Sequence, residues 1–128
     1  MSKLQSNSSA RPLSPHLQVY RLPLTALLSI THRITGVILC LGLFLLVWVL
    51  LQMAADPVGY EALRDFLQTW IGRLILWLWT LSLFVHFSHG IRHLLWDLGW
   101  GFAKDTLDKH GLIELAAALI LSVAVWIF

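Results

Sequence analysis

The sequence predicts an all-α membrane protein with three transmembrane helices and a short amphipathic connector between the first and second. Of its 128 residues, 58% are hydrophobic and only 12% are charged, whereas a soluble domain carries roughly 25% charged residues. The mean hydropathy of +0.75 agrees. Three apolar segments are each long enough for the roughly 20 residues that cross a bilayer as a helix. They leave no length for a separate catalytic domain, so any soluble chemistry belongs to partner proteins.

The first predicted span lies between Leu22 and Met53. Its stretch from Ile34 to Leu51 contains no charged residue. The segment is longer than a bilayer requires, and Pro23 suits the first turn of a helix. Residues 1–21 are polar and rich in serine, and they lack the basic and apolar regions of a signal peptide. We therefore predict that they form a cytoplasmic N-terminal tail.

A break at Asp56-Pro57 separates the first span from the connector. Apolar residues recur at near-helical spacing between Tyr60 and Trp70, with charged residues among them, which is typical of a helix lying on a membrane surface. The second span is predicted from about Gly72 to Leu98 and the third from about Lys109 to Phe128. Glu114 falls in the first turns of the third span, where the helix dipole favours a carboxylate that can still reach the headgroups. Residues 22–128 are thus expected to form one transmembrane domain.

The positions of the basic residues predict the orientation. Only Arg64 and Arg73 flank the spans on one side, and the positive-inside rule places the other side, with the N-terminal tail, in the cytoplasm. The absence of a transit-peptide pattern favours a bacterial inner membrane. No run of basic residues suggests a nucleic-acid partner. The residues on the predicted cytoplasmic side are Lys3, Arg11, Arg21, Arg33, Arg92, Lys104 and Lys109.

The second span contains a stripe of chemically active side chains. His86, Gly90 and His93 share one helix face, and His86 lies about 10 Å deeper than His93 at 1.5 Å per residue. A neutral imidazole inside the hydrocarbon is a good axial ligand for haem iron, and Gly90 leaves space for a flat porphyrin. His89 projects about 300° round the helix from His86, so a sixth ligand should come from another chain. The alternative is that His86 is a packed histidine bonded to a neighbouring helix.

A second polar cluster lies near the cytoplasmic end of the first span. Ser29 and Arg33 stand one helical turn apart, with His32 beside them. A hydroxyl and a guanidinium at this depth could hydrogen-bond a quinone carbonyl or a haem propionate. The alternative is an arginine that reaches the headgroups and a serine bonded to its own helix, and Arg92 and His93 have a similar reading as interface residues.

Two motifs built on these clusters resemble a known family. The sequence Ser29-x-x-His32-Arg33-x-Thr35, which follows Arg11-Pro12-Leu13, is similar to the N-terminal signature of cytochrome b subunits of succinate dehydrogenase. The sequence His86-x-x-x-Gly90-Ile91-Arg92-His93-Leu94-x-Trp96-Asp97 resembles the second signature of that family. Together the motifs organise about the first hundred residues, and the length, three spans and orientation also fit.

The resemblance implies specific roles for these residues. His86 would be the axial ligand of haem b, and a second hydrophobic anchor subunit would supply the opposite histidine. Ser29 and Arg33 would line a ubiquinone pocket. His32, Arg92 and His93 would lie near the haem propionates. The third span carries no comparable motif and is expected only to pack, and His89 is assigned no role.

The resemblance also implies a function shared with other chains. The protein would anchor a flavoprotein subunit and an iron-sulfur subunit to the lipid bilayer, and it would have no activity alone. The nearest alternative is a fumarate reductase anchor, in which electrons flow in the opposite direction. A more distant alternative is a haem-free structural anchor whose polar residues only bond between helices.

Overall fold

A computed structural model describes residues 20–127, and this part of the chain is helical, without strands. Three of its helices are long and apolar enough to cross a membrane. The fourth is a short connector between the first two spans. The predicted fold class is therefore confirmed. The helices are α1 (Leu24–Ala55), α2 (Pro57–Gln68), α3 (Trp70–Asp97) and α4 (Lys104–Ile127).

Three features of the sequence analysis fall wholly or mainly outside the described residues. They are the Arg11-Pro12-Leu13 motif, nearly all of the predicted tail at residues 1–21, and the terminal Phe128. The predicted division between this tail and a transmembrane domain at residues 22–128 stays a prediction.

Proline and side-chain caps set the beginnings of the first two helices. Pro23 has extended backbone geometry, and its carbonyl accepts the N–H groups of Ala26 and Leu27 at the start of α1. The 32 residues of α1 extend for about 48 Å, more than a bilayer core requires. At the other end, the Asp56 carboxylate accepts the Gly59 N–H and caps α2. Pro57 fits there because the first helical turn needs no N–H donor.

Residues close in sequence also determine where the second and third spans begin and end. Thr69 caps α3 by accepting the Gly72 N–H at 3.2 Å. The chain leaves α3 through Gly99, whose φ of +80° favours glycine. The helix α4 begins at Lys104, five residues before the predicted start at about Lys109. Its first turn contains Asp105, a carboxylate that suits the N-terminal end of a helix dipole.

The spans pack with α3 between α1 and α4. Small or polar residues line the buried face of α4, which lets its backbone approach α3 closely, as is common between transmembrane helices. By contrast, α1 buries only Leu28 and Thr35. Its large apolar side chains point outwards, which identifies the chain as a multi-pass membrane protein covered by lipid or by other subunits. The buried residues of α4 are Gly111, Glu114, Ala118 and Ser122.

Candidate functional site

Four histidines meet at the end of the bundle where α1 begins and α3 ends. The ring of His32 on α1 stacks on the ring of His86 on α3, with centroids 3.9 Å apart and an interplanar angle of 9°. The His32 ring is also 5.0 Å from that of His89 and 5.6 Å from that of His93. The packing of α1 on α3 thus joins the two polar clusters predicted from the sequence. We call these four residues the imidazole cluster.

His86 is oriented by the backbone of α1. Its Nδ1 lies 3.0 Å from the His32 carbonyl oxygen and 3.3 Å from the Thr35 hydroxyl. A carbonyl can only accept a hydrogen bond, so Nδ1 carries a proton, and in the neutral ring Nε2 has the free lone pair. Among residues 20–127, His86 Nε2 makes no hydrogen bond. Stacking by His32 covers a face of the ring, whereas Nε2 lies on its edge.

Two glycines shape the space around the cluster. A Cβ added at Gly36 would lie 3.1 Å from Cε1 of His86, so a side chain there would press on the imidazole. A Cβ at Gly90 would have His32 Cε1, 4.0 Å away, as its nearest neighbour. The first glycine permits the close approach of α1 to His86. The second leaves room on the face of α3 beside His32.

The cluster contains buried nitrogen atoms without hydrogen-bond partners in the described part of the chain. They are Nδ1 of His32 and Nε2 of His89, and His89 is 0% exposed. Buried polar atoms in native proteins nearly always have a partner, and an exception calls for a missing water, ligand or ion. Nε1 of Trp79 and Nε of Arg92 lack partners in the same way, so these four atoms are positions at which a water molecule, a ligand or another subunit could bind.

A buried charge cluster lies behind His89, between α3 and α4. Glu114 Oε1 is 2.6 Å from Nδ1 of His89, and Oε2 is 3.2 Å from Nη1 of Arg92. Arg92 Nη2 also donates to the Leu107 carbonyl at 2.6 Å, and the guanidinium lies 4.7 Å from the centre of a ring of Trp96. An ionised carboxylate only accepts, so His89 donates through Nδ1.

This charge cluster adds residues that the sequence analysis missed. Glu114 was expected to reach the lipid headgroups, but it is 7% exposed and points into the bundle. The helix α4 therefore contributes a charged group as well as packing. His89 is fully buried at the centre of the network. The guanidinium of Arg92 points towards α4 and binds Glu114, and it makes no hydrogen bond to His32 or His86.

The spacing of small residues around Glu114 in the sequence indicates that this side chain is buried. Gly111, Ala118 and Ser122 lie three, four and eight residues from it, so all four share one helix face. A face of small residues is the one that packs against another transmembrane helix. A carboxylate on that face must find a buried partner.

Ser29 and Arg33, the residues predicted to bind quinone, form no hydrogen bond or ion pair with the imidazole cluster in the described part of the chain. Ser29 is half-buried and Arg33 is exposed. Neither side chain makes a hydrogen bond or an ion pair within residues 20–127. Successive residues on a helix differ by about 100°, so when His32 faces α3 its neighbour Arg33 projects to another side. His93 is likewise exposed.

Comparisons with known proteins find relatives that match most of the chain. A family model for the "Succinate dehydrogenase/Fumarate reductase transmembrane subunit" matches residues 7–125. The succinate dehydrogenase cytochrome b556 subunit of Paracoccus denitrificans is 38% identical over 117 residues, which cover 91% of this chain and 90% of that protein. The corresponding subunit of Rickettsia felis is 33% identical, with 91% of each chain covered. The cytochrome b560 subunit of Reclinomonas americana is 34% identical over 91% of this chain and 85% of its own.

Proposed function

Because the chain belongs to the family of succinate dehydrogenase and fumarate reductase transmembrane subunits, we propose that it binds haem b through His86 and helps form a ubiquinone-reduction site. In this role it anchors the flavoprotein and iron-sulfur subunits of a succinate:quinone oxidoreductase. It is not catalytic alone. The relatives named above are subunits of succinate dehydrogenase, which favours succinate oxidation over fumarate reduction.

The observation that carries the proposal is the hydrogen bond from His86 Nδ1 to the His32 carbonyl, at 3.0 Å. A histidine that ligates a metal usually donates its other ring nitrogen in this way, which fixes the ring and makes it a better ligand. The free edge nitrogen of His86, the open face at Gly90 and the unpaired nitrogen of His32 fit a porphyrin. When bound, the haem supplies a one-electron redox centre.

We propose that the haem propionates lie next to His32 and His93, with Arg92 farther from them. The unpaired Nδ1 of His32 can donate to a carboxylate when that nitrogen carries a proton. His93 lies at the exposed end of the imidazole cluster. Arg92 contributes positive charge nearby, although Glu114 already balances it. A second hydrophobic anchor subunit is proposed to provide the other axial histidine.

Ser29 and Arg33 are proposed to bind the quinone. A serine hydroxyl can donate a hydrogen bond to a quinone carbonyl, and a guanidinium stabilises the negative charge that develops as electrons arrive. Reduction of a quinone consumes two electrons and two protons, so the pocket must remain open to water. The absence of partners for both side chains within residues 20–127 suits a pocket that other subunits and the substrate complete.

The proposed setting is a bacterial inner membrane, with the N-terminus in the cytoplasm. Seven of the nine Lys and Arg residues then lie on the cytoplasmic side, as the positive-inside rule favours. The exposed apolar surface of α1 is available to the second anchor subunit and to lipid. The quinone residues near the start of α1 would then face the soluble subunits.

Purification of the tagged chain from its native membranes in mild detergent tests the proposal. We expect flavoprotein, iron-sulfur and second anchor subunits to copurify, and the complex to give a b-type reduced-minus-oxidised absorbance spectrum. Succinate should reduce a ubiquinone analogue. A complex that contains all four subunits but no haem spectrum would identify a haem-free anchor and contradict the proposed role of His86.

A further inference from the structure

The buried charge cluster of His89, Arg92 and Glu114 has a role that the family resemblance does not supply. The resemblance assigns nothing to His89 or to α4, yet the structure joins them next to the imidazole cluster. The Arg92 and Glu114 side chains are 7% and 6% exposed. Two opposite charges are thus withdrawn from water together, and neither can be removed without leaving the other in a medium of low dielectric constant.

We infer that Glu114 is a positioning residue that neutralises Arg92 and thereby holds down the midpoint potential of a haem bound at His86. This inference rests on the proposed haem binding. In the described part of the chain, Glu114 is the carboxylate that pairs with Arg92. A guanidinium does not lose its proton in a protein, so Arg92 stays cationic whatever happens to its partner.

The geometry connects this pair to the imidazole cluster through one histidine. Glu114 accepts from Nδ1 of His89 at 2.6 Å, and the His89 ring lies 5.0 Å from the His32 ring. The His32 ring in turn stacks on His86 at 3.9 Å. With the Arg92–Glu114 pair intact, the two opposite charges offset each other at His86. With the carboxylate removed, the positive charge of Arg92 acts on a haem at His86 across a short distance, with little solvent to screen it.

The sign of the effect follows from electrostatics. A positive charge near a redox centre disfavours its oxidised form, which is the more positive one, and so raises the midpoint potential. We expect Glu114→Gln, which keeps the shape of the side chain, to raise the ratio of reduced to oxidised haem about tenfold at fixed ambient potential. For a one-electron couple this equals a shift of about 59 mV.

The test is a potentiometric titration of the haem absorbance in the purified complex. Glu114→Gln is compared with the wild type, with the double variant Glu114→Gln/Arg92→Gln, and with Glu61→Gln on α2, an exposed glutamate. The double variant restores neutrality, so its potential should return close to that of the wild type. Glu61→Gln should leave the potential unchanged. A purely structural role for Glu114 predicts no such reversal, because the double variant loses every polar contact of the single one.

An unchanged or lowered potential in Glu114→Gln, or a double variant that shifts as far as the single one, would overturn the inference while leaving haem binding intact. A wild-type complex without a haem spectrum would instead overturn the proposed function, and this inference with it. If Glu114→Gln does not accumulate, Arg92→Gln provides the test. Its unpaired carboxylate should lower the potential, and an unchanged or raised value would overturn the inference.

Discussion

Two polar clusters lie at the same end of the bundle, and they differ in how completely this chain satisfies them. The closed cluster is the buried charge cluster of His89, Arg92 and Glu114, which makes three hydrogen bonds between α3 and α4, while Nε2 of His89 and Nε of Arg92 lack partners in the described residues. The open cluster, Ser29, His32, Arg33, His86 and His93, keeps side chains that are exposed or lack partners in the described residues. Polar groups in a membrane require partners. We therefore expect the closed cluster to stabilise the packing of this chain and the open cluster to bind other molecules.

The difference also separates the two outer helices. The helix α4 packs its face of small residues against α3, and the ion pair of Glu114 with Arg92 stabilises this contact. The helix α1 buries little of itself and presents Ser29 and Arg33 outwards. Substitutions in the closed cluster should therefore reduce the amount of folded complex. Substitutions in the open cluster should leave the fold intact and remove binding or electron transfer.

The largest expected effect on stability is that of Glu114→Ala. It leaves Arg92 buried and unpaired, and breaking a buried ion pair in this way typically costs about 3 to 5 kcal/mol. We expect little assembled complex in the membrane and a lowered melting temperature for what remains. Immunoblots of membranes and thermal unfolding of the purified complex measure these quantities. Glu61→Ala on the exposed surface of α2 is the matched control, and equal behaviour of the two variants would show that the closed cluster is not structural.

Arg33→Ala should have an intermediate effect that is confined to quinone chemistry. Loss of a hydrogen bond from a charged donor costs about 1.5 to 3 kcal/mol, which is roughly tenfold to a hundredfold in rate if the bond forms in the transition state. Succinate oxidation with a soluble dye acceptor should survive, because in the proposed complex the flavin and iron-sulfur centres belong to other subunits. The measurement is the ratio of quinone to dye reductase activity at equal flavin content.

The exposed Arg64 on α2 provides the control for Arg33. Arg64→Ala removes the same charge from the other end of the bundle and should leave the activity ratio unchanged. Equal loss of quinone and dye activity in Arg33→Ala would indicate failed assembly. An unchanged ratio would move the quinone pocket away from Arg33.

Ser29→Ala should have the smallest effect. The serine hydroxyl is neutral, and a neutral hydrogen bond contributes about 0.5 to 1.5 kcal/mol, or roughly twofold to tenfold in quinone reduction. Thr31→Ala, between Ser29 and Arg33 in sequence but on a different side of the helix, is a useful comparison because the Thr31 hydroxyl already donates to the Leu27 carbonyl. A loss larger than that of Arg33→Ala would contradict the assignment of charge stabilisation to Arg33.

The sequence was sufficient for the three spans and for the helix face that His86 and His93 share. Long apolar segments predict transmembrane helices, and helical spacing places His86 and His93 on one face. The partners of Arg92 could not be predicted in the same way, because they depend on the rotation of α4 about its axis. Glu114 was assigned to the headgroups on its distance from the start of the helix, and the small residues at Gly111, Ala118 and Ser122 identify its buried face. The unpaired nitrogen atoms of His32 and His89 appear only once all three spans are assembled.

The haem spectrum of a His86→Ala complex tests the central claim most directly. This substitution removes the proposed axial ligand, and His110→Ala removes an exposed histidine of α4 outside the imidazole cluster. We predict that reduced-minus-oxidised spectra, normalised to flavin content, show lost or strongly diminished b-type haem in His86→Ala and the full wild-type signal in His110→Ala. A His86→Ala complex that retains the wild-type spectrum, or equal loss of haem in both variants, would contradict the account.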